Sequence, residues 1–390
     1  MSFTEMQLDE GILKALNDLS FKDPTEIQAK TITLILKGHD VIGQSMTGSG
    51  KTLAFGAPIL HHFQQGRGIQ ALIIAPTREL ANQIAQELEK FSKYKRSRVV
   101  TVFGGVSIEP QIAGLGRADI VVGTPGRILD HIQRRTIDLR HVKTLVLDEA
   151  DRMLDMGFID DIRDILKNVP RERQTLLFSA TMPPVIENLA HRFMKDPIRI
   201  RTQSLVSKTK MKQYYYDVLE GDKLSLLVHL MKKEKPELAI VFCNTKRETD
   251  FVAQVLERNE VEARAIHGDL SQAARMQVLE SFHRGKIHVL VATDVAARGL
   301  DIKNVTHIFN YDLPNDAENY THRIGRTARI GKEGKVLSLL CSNDHEAFRR
   351  IIRTHDIEKI VEKDYPKIRA ERPHYRRSFS GGRFGSRRRY

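Results

Sequence analysis

Val41-Ile42-Gly43-Gln44-Ser45-Met46-Thr47-Gly48-Ser49-Gly50-Lys51-Thr52 begins as an apolar run and breaks into a glycine-rich turn closed by a Lys-Thr pair. A strand that ends in such a turn and opens a helix is a phosphate-binding loop. Its glycines let backbone N–H groups approach phosphate oxygens. Lys51 supplies charge to the β and γ phosphates, and the Thr52 hydroxyl can ligate Mg²⁺. The general pattern has Gly at the first position, where this chain has Ser45, the residue at the strand exit. A glycine-rich turn with an incidental lysine is the competing reading of this motif alone.

The same strand-then-turn grammar recurs on both sides. Ala71 to Ala75 precedes Pro76 and a helical pattern of Leu80, Ile84 and Leu88; Val99 to Phe103 ends at Gly104-Gly105; Ile120 to Val122 ends at Gly123; Leu145 to Leu147 ends at Asp148; Leu176 to Phe178 ends at Ser179. Runs this short and unbroken suit strands buried on both faces. Their alternation with amphipathic stretches predicts an α/β, doubly wound parallel sheet. The pattern pauses in a polar stretch, and a second series follows at Leu238 to Phe242, Ala263 to Ile266, Val289 to Ala292, His307 to Asn310 and Val336 to Leu340. The expected division is a first domain over 1–203, a linker over 204–210, a second domain over 211–366 and a basic tail over 367–390. A length of 390 residues is itself too great for one ordinary core.

Asp148-Glu149-Ala150-Asp151 stands at the end of an apolar strand, downstream of the phosphate loop. An acid placed there can hold Mg²⁺ through water, and its neighbour can orient an attacking water. An acidic helix N-terminus, favoured by the helix dipole, is the competing reading.

The bulk composition bounds the partners. The formal net charge is +13, but residues 367–390 hold eight Arg and one Lys against one Glu, so the tail alone carries +8. This tail lacks the aliphatic residues that would offset the entropy of ordering and is expected to be disordered. Its arginines alternate with Tyr375, Phe379, Phe384 and Tyr390, a composition that suits phosphate contact and base stacking; a solvated end is the alternative. Cys243 and Cys341 lie in apolar runs and read as small buried hydrophobes; a disulfide is the less favoured alternative, and two thiols alone make no zinc site. No run is long enough for a membrane span, and Met1 to Glu10 lacks a basic-then-apolar leader, so the expected address is the cytoplasm.

Taken with further motifs in order from Phe3 to Ile330, the chain resembles the DEAD-box family of ATP-dependent RNA helicases. That resemblance implies two tandem RecA-like domains, with ATP, Mg²⁺ and RNA bound between them. Phe21-Lys22-Asp23-Pro24-Thr25-Glu26-Ile27-Gln28, with Phe3 upstream, is similar to the Q motif, although Ser20 stands where the family has Gly. There Gln28 would read the adenine edge, as donor and acceptor at once, and an aromatic would stack on the base. Thr47, Gly48, Ser49, Gly50, Lys51 and Thr52 would complete the nucleotide site, with Asp301 on the ribose and Thr52 and Asp148 toward the metal. Thr77, Arg78, Gly105, Thr124 and Arg127 match the RNA-contact motifs of the first domain, and Arg247, Gly268 and Thr293 those of the second. Each of the first set, taken singly, reads as turn chemistry and helix capping.

Ser179-Ala180-Thr181 resembles the motif that couples hydrolysis to unwinding, its hydroxyls within reach of the DEAD acids; a helix N-cap before Pro183 is equally open. His322-Arg323-Ile324-Gly325-Arg326-Thr327-Ala328-Arg329 resembles the last motif, with Arg326 and Arg329 as arginine fingers and Ala328 where the family commonly has Gly. The implied catalytic set is Lys51, Asp148, Glu149, Arg326 and Arg329, and the implied RNA contacts are backbone-directed, with a monomer as the default state. An RNA clamp in which unwinding is incidental, and a DNA translocase of the same superfamily, stay open as rival readings.

Overall fold

The structure, a computed structural model, describes residues 2–45, 48–202, 211–297, 305–327 and 333–368. The first half builds seven parallel strands: β1 Val41–Gln44, β2 Ala71–Ile74, β3 Val99–Val102, β4 Ile120–Gly123, β5 Thr144–Asp148, β6 Gln174–Ser179 and β7 Ile198–Arg201. The second builds β8 Met211–Asp217, β9 Ala239–Phe242, β10 Ala263–Ile266, β11 Val289–Ala292, β12 His307–Asn310, β13 Gly334–Leu340 and β14 Glu358–Lys359. The first sheet runs β3-β4-β2-β5-β6-β1-β7 and the second β10-β11-β9-β12-β13-β8-β14, with every pairing parallel. Numbered within its own half, the second order is the first repeated, so the two halves share one topology.

Alternation along each strand explains why the aliphatic runs are unbroken. In β2, Ala71 and Ile73 enter the core on one face while Leu72 and Ile74 enter the core on the other. In β9, Ile240 and Phe242 face one core and Ala239 and Val241 the opposite one. Both faces are covered by helices, so each buried aliphatic side chain contributes about 1.5–3 kcal/mol of transfer free energy. Gly43 is required by packing: a Cβ built there would lie 2.5 Å from Cε1 of Phe178 on the neighbouring β6.

Three strands carry no aliphatic run and escape the sequence pattern. β7 reads Ile-Arg-Ile-Arg, β8 reads Met-Lys-Gln-Tyr-Tyr-Tyr-Asp, and β14 has two residues. All lie at or next to a sheet margin, where one side meets solvent. Beyond β14, Ile360, Tyr365 and Ile368 pack on the second core, and Ile368 N donates to Ser225 Oγ at 2.9 Å. Lys367 pairs with Asp222 at 2.7 Å. The linker expected over 204–210, and the tail beyond Ile368, lie outside the described residues. Cys243 and Cys341 are free, buried thiols, and burial pushes both above the ordinary thiol range, Cys341 to about 12. Among the described residues no helix is long and apolar enough to cross a membrane.

Candidate nucleotide and RNA site

The sheet order assembles the motifs. β5, β6 and β1 are neighbours, so their carboxyl ends bring together the DEAD tetrapeptide, Ser179 and the phosphate loop. This is the edge at which open α/β sheets bind ligands. Gly50 caps the helix Lys51–His62 at φ +90°, and Gly48 sits at φ +81°. A Cβ on Gly50 would fall 2.3 Å from Gln28 Nε2, so the loop closes against the Q-motif glutamine only because this residue is Gly. Lys51 Nζ lies 3.9 Å from Asp148 Oδ1, with both side chains almost wholly buried. Thr52 is half-buried in the first turn of the helix.

Electrostatics separates the two adjacent acids. Burial pushes Asp148 up to about 6, against the pull of Lys51. Burial acts on Glu149 in the same sense, but Arg152, Lys51 and Arg326 more than offset it and hold that carboxyl down at about 2. Glu149 also occupies the left-handed region, at φ 53° and ψ 53°, as the N-cap of the helix Ala150–Asp155. For a residue with a Cβ this backbone costs on the order of 1–3 kcal/mol, and such strain concentrates at functional sites. The donor set fits the expected groups: a buried carboxylate and a threonine hydroxyl are hard oxygen ligands for Mg²⁺, and a lysine beside a glycine-lined loop suits phosphates.

Asp151 binds the segment Ser179-Ala180-Thr181. Its Oδ2 accepts from Ala180 N at 3.1 Å, Thr181 N at 2.7 Å and Thr181 Oγ1 at 3.0 Å, while its own N–H donates to Ser179 Oγ at 3.1 Å. The alternative capping use is not adopted, because the helix Pro184–Phe193 is capped by Pro183 with no side-chain bond. Elsewhere a capping use is present. Thr77 Oγ1 accepts from Leu80 N at 3.3 Å as an N-cap, yet the Arg78 guanidinium lies over Gly105, whose Cβ would meet Nη1 at 2.1 Å. Arg127 Nη2 donates to Val106 O at 3.2 Å, beside a half-buried Thr124.

Other predicted residues are placed as follows. Gln28 is buried, its Oε1 accepting from Thr25 N at 2.9 Å and its Nε2 donating to Gly50 O at 3.0 Å, so it ties the start of its own helix to the glycine-rich loop. Phe3 lies inside the first core, and Phe21 is exposed in an edge contact with Phe91 at 6.1 Å. In the second domain Arg247 and Gly268 are exposed, and Thr293 is buried with its Oγ1 accepting from Ala296 N at 3.4 Å. Arg326 is buried and its charge acts on Glu149 of the first domain. Thr47, Asp301 and Arg329 lie outside the described residues.

Four features have no counterpart in the motif reading. Arg152 binds Glu149, Nη1 to Oε2, at 2.6 Å. Arg323 is almost fully buried and makes a bidentate bond to Asp294, both arms at 2.7 Å, with further bonds to Asn310 and Asn244. Thr181 Oγ1 also lies 2.7 Å from Glu318 Oε1 of the second domain, so its single proton is shared between that carboxylate and Asp151. Glu79 Oε1 accepts from Gln272 Nε2 at 3.2 Å and pairs with Arg275 Nη1 at 3.1 Å across the same seam. The i,i+3 spacing of Glu149 and Arg152 is a helical ion-pair signal visible in sequence; the contacts across the seam carry no local signal. A separate cleft of about 1120 Å³, lined by His39, Arg171, Arg173, Arg192 and Lys195, opens toward the amino ends of β1, β6 and β7 and takes no part in this site.

Comparison with known proteins agrees with this geometry. Residues 25–189 match the DEAD/DEAH box helicase model and residues 222–331 the helicase conserved C-terminal domain. The ATP-dependent RNA helicase CshA of Listeria monocytogenes is 56% identical over 87% of this chain, which spans 66% of that protein's length. The DEAD-box ATP-dependent RNA helicase CshA of Geobacillus kaustophilus is 48% identical over 94% of this chain and 78% of its own. The structure of S. cerevisiae Dbp5 bound to RNA and ADP BeF3 superposes with a TM-score of 0.83 at 30% identity, covering 92% of this chain and 95% of that one. Since that one superposition spans both sheets, their mutual arrangement is shared as well as their folds. The chain therefore belongs to the DEAD-box family of ATP-dependent RNA helicases.

Proposed function

We propose that the protein is an RNA-stimulated ATP hydrolase that locally unwinds short RNA duplexes or remodels RNA–protein complexes, working in the cytoplasm as a monomer. The observation that carries this reading is the shared cleft. Lys51, Asp148 and Glu149 of one domain meet the charge of Arg326 from the other, and the coupling residue Thr181 bonds across the same seam.

In this reading Lys51 holds the β and γ phosphates, while Glu149 orients the water that attacks the γ-phosphorus as its bond to the ADP oxygen breaks. Mg²⁺, held through Thr52 and Asp148, would neutralise phosphate charge when bound. Arg326 and Arg329 stabilise the transferring phosphoryl group, which makes turnover depend on closure. Gln28 and the exposed Phe21 serve the adenine and Asp301 the ribose, whereas Phe3, expected there as well, is occupied in the first core. Thr77, Arg78, Gly105, Thr124, Arg127, Arg247, Gly268 and Thr293 hold the RNA backbone, so recognition favours ribose over deoxyribose with little sequence preference.

The test compares ATP hydrolysis with single-stranded RNA and with DNA of the same sequence, beside strand displacement on a short RNA duplex. RNA alone should stimulate, and Glu149→Gln should abolish turnover while retaining ATP and RNA binding. Equal stimulation by DNA would favour a DNA translocase. ATP-dependent RNA retention without displacement would favour a clamp. A Glu149→Gln variant turning over at the wild-type rate would remove Glu149 from the reaction.

A further inference from the structure

A residue that orients water must itself be oriented, and Glu149 has two stronger attractions than a water molecule close by. The charges of Lys51 and Arg326 both reach its carboxylate, yet in the proposed reaction both belong on phosphate. Left with free side-chain torsions, Glu149 would swing to one of these cations and neutralise it. Something must hold it at a fixed place between them.

Arg152 does this by construction. It lies three residues along, on the same face of the helix Ala150–Asp155 as its N-cap Glu149. Its Nη1 meets Glu149 Oε2 at 2.6 Å, with both side chains over nine-tenths buried. The helix that carries it is seated in the core through Ala150 and Met153, both fully buried. The backbone is held twice over, with Arg152 N donating to Asp151 Oδ1 at 3.0 Å and Met153 N to Glu149 O at 3.1 Å. Glu149 itself stands in the left-handed region at φ 53°, a backbone position that a residue with a Cβ rarely adopts. A guanidinium suits the task because its planar fork fixes direction as well as distance, which an ammonium does not.

We propose that Arg152 is a positioning residue for ATP hydrolysis, clamping the Glu149 carboxylate so that it serves the attacking water and leaves Lys51 and Arg326 to the phosphates. This inference rests on the reading of Glu149 given above, and it assigns Arg152 no contact with nucleotide.

The test measures steady-state and single-turnover RNA-stimulated ATP hydrolysis for Arg152→Leu, Arg152→Gln, Glu149→Gln and the double variant Arg152→Gln/Glu149→Gln, with thermal melts alongside. Loss of orientation should lower kcat about tenfold or more in both Arg152 variants, with KM for ATP and for RNA within about twofold of wild type. In the double variant the single-turnover rate should match that of Glu149→Gln alone, because two residues acting through one group are not additive. Should Arg152→Leu fail to fold, the shorter but still polar Arg152→Gln, which keeps hydrogen-bonding groups in the buried site, carries the test. An unchanged or raised kcat, a parallel change in KM, or a double variant slower than Glu149→Gln by the full Arg152→Gln factor would overturn the proposal. Wild-type turnover in Glu149→Gln would instead overturn the reading on which it rests, so the two failures are told apart.

Discussion

At the scale of single residues, the buried charges of this protein divide into those that hold the fold and those that wait for a ligand. Arg323 belongs to the first kind. It ties β12 through Asn310, the segment after β9 through Asn244, and the start of the helix Asp294–Ala297 through Asp294. Replacing Arg323 by Leu leaves Asp294 without its bidentate partner; a fully buried pair broken in this way costs about 3–5 kcal/mol, and with Asp294 24% exposed the loss should fall somewhat below that. Urea unfolding should show that loss in the second domain, and a change below about 1 kcal/mol would contradict it. Asp148 belongs to the second kind. Its carboxyl is pushed up to about 6 by burial, so below that pH it is increasingly protonated and unable to serve a cation. The KM for Mg²⁺-ATP should therefore rise as pH falls from 7 to 5, a step that Asp148→Asn removes. The sign for stability is the reverse: the folded state binds this proton more tightly than the unfolded chain. The protein without nucleotide should thus lose stability as pH rises from about 4 to about 6. The roles proposed for Lys51, Asp148 and Glu149 were legible because phosphate and metal chemistry restrict residue types. Arg323 was not, because a buried arginine and a solvated one look alike in sequence, and Arg152 left only its i,i+3 spacing from Glu149 as a signal.

At the scale of elements, the sheets were legible wherever burial on both faces forces an unbroken aliphatic run. β2, β4, β5, β6, β9 and β11 are of this kind, and the structure places strands over each. β7, β8 and β14 were missed for the complementary reason: near a margin, Arg, Tyr and Lys satisfy a strand as well as Val does. One glycine tests the packing logic. Gly43 lies in β1, where an added methyl would meet the Phe178 ring at 2.5 Å, and that ring is wedged against Phe55 at a centroid distance of 5.5 Å. Gly43→Ala should destabilise the first domain by about 1–3 kcal/mol through overpacking. Gly43→Ala combined with Phe178→Leu should recover part of it. Recovery is the decisive measurement, since a backbone cause would leave the pair no better than the glycine change alone.

At the scale of the whole molecule, two copies of one topology present the carboxyl edges of their sheets to a common cleft, and among the described residues polar contacts tie them. Glu79 meets Gln272 and Arg275, and Thr181 meets Glu318. Contacts of this polar kind can open and close in a way that either apolar core cannot. The Glu79–Arg275 pair has both side chains largely buried, so it is screened less by salt than an exposed pair. Arg275→Ala leaves Glu79 facing the seam without its cation, a penalty present only in the closed arrangement. The variant should keep its melting behaviour and its affinity for ATP alone. The RNA concentration needed for half-maximal ATP hydrolysis should rise about tenfold, because closure and RNA binding are linked equilibria. Fluorophores on the two domains would report the same shift as a smaller closed fraction at fixed RNA. If that fraction matched wild type while turnover fell, Arg275 would act within the hydrolytic step and not on the arrangement of the halves.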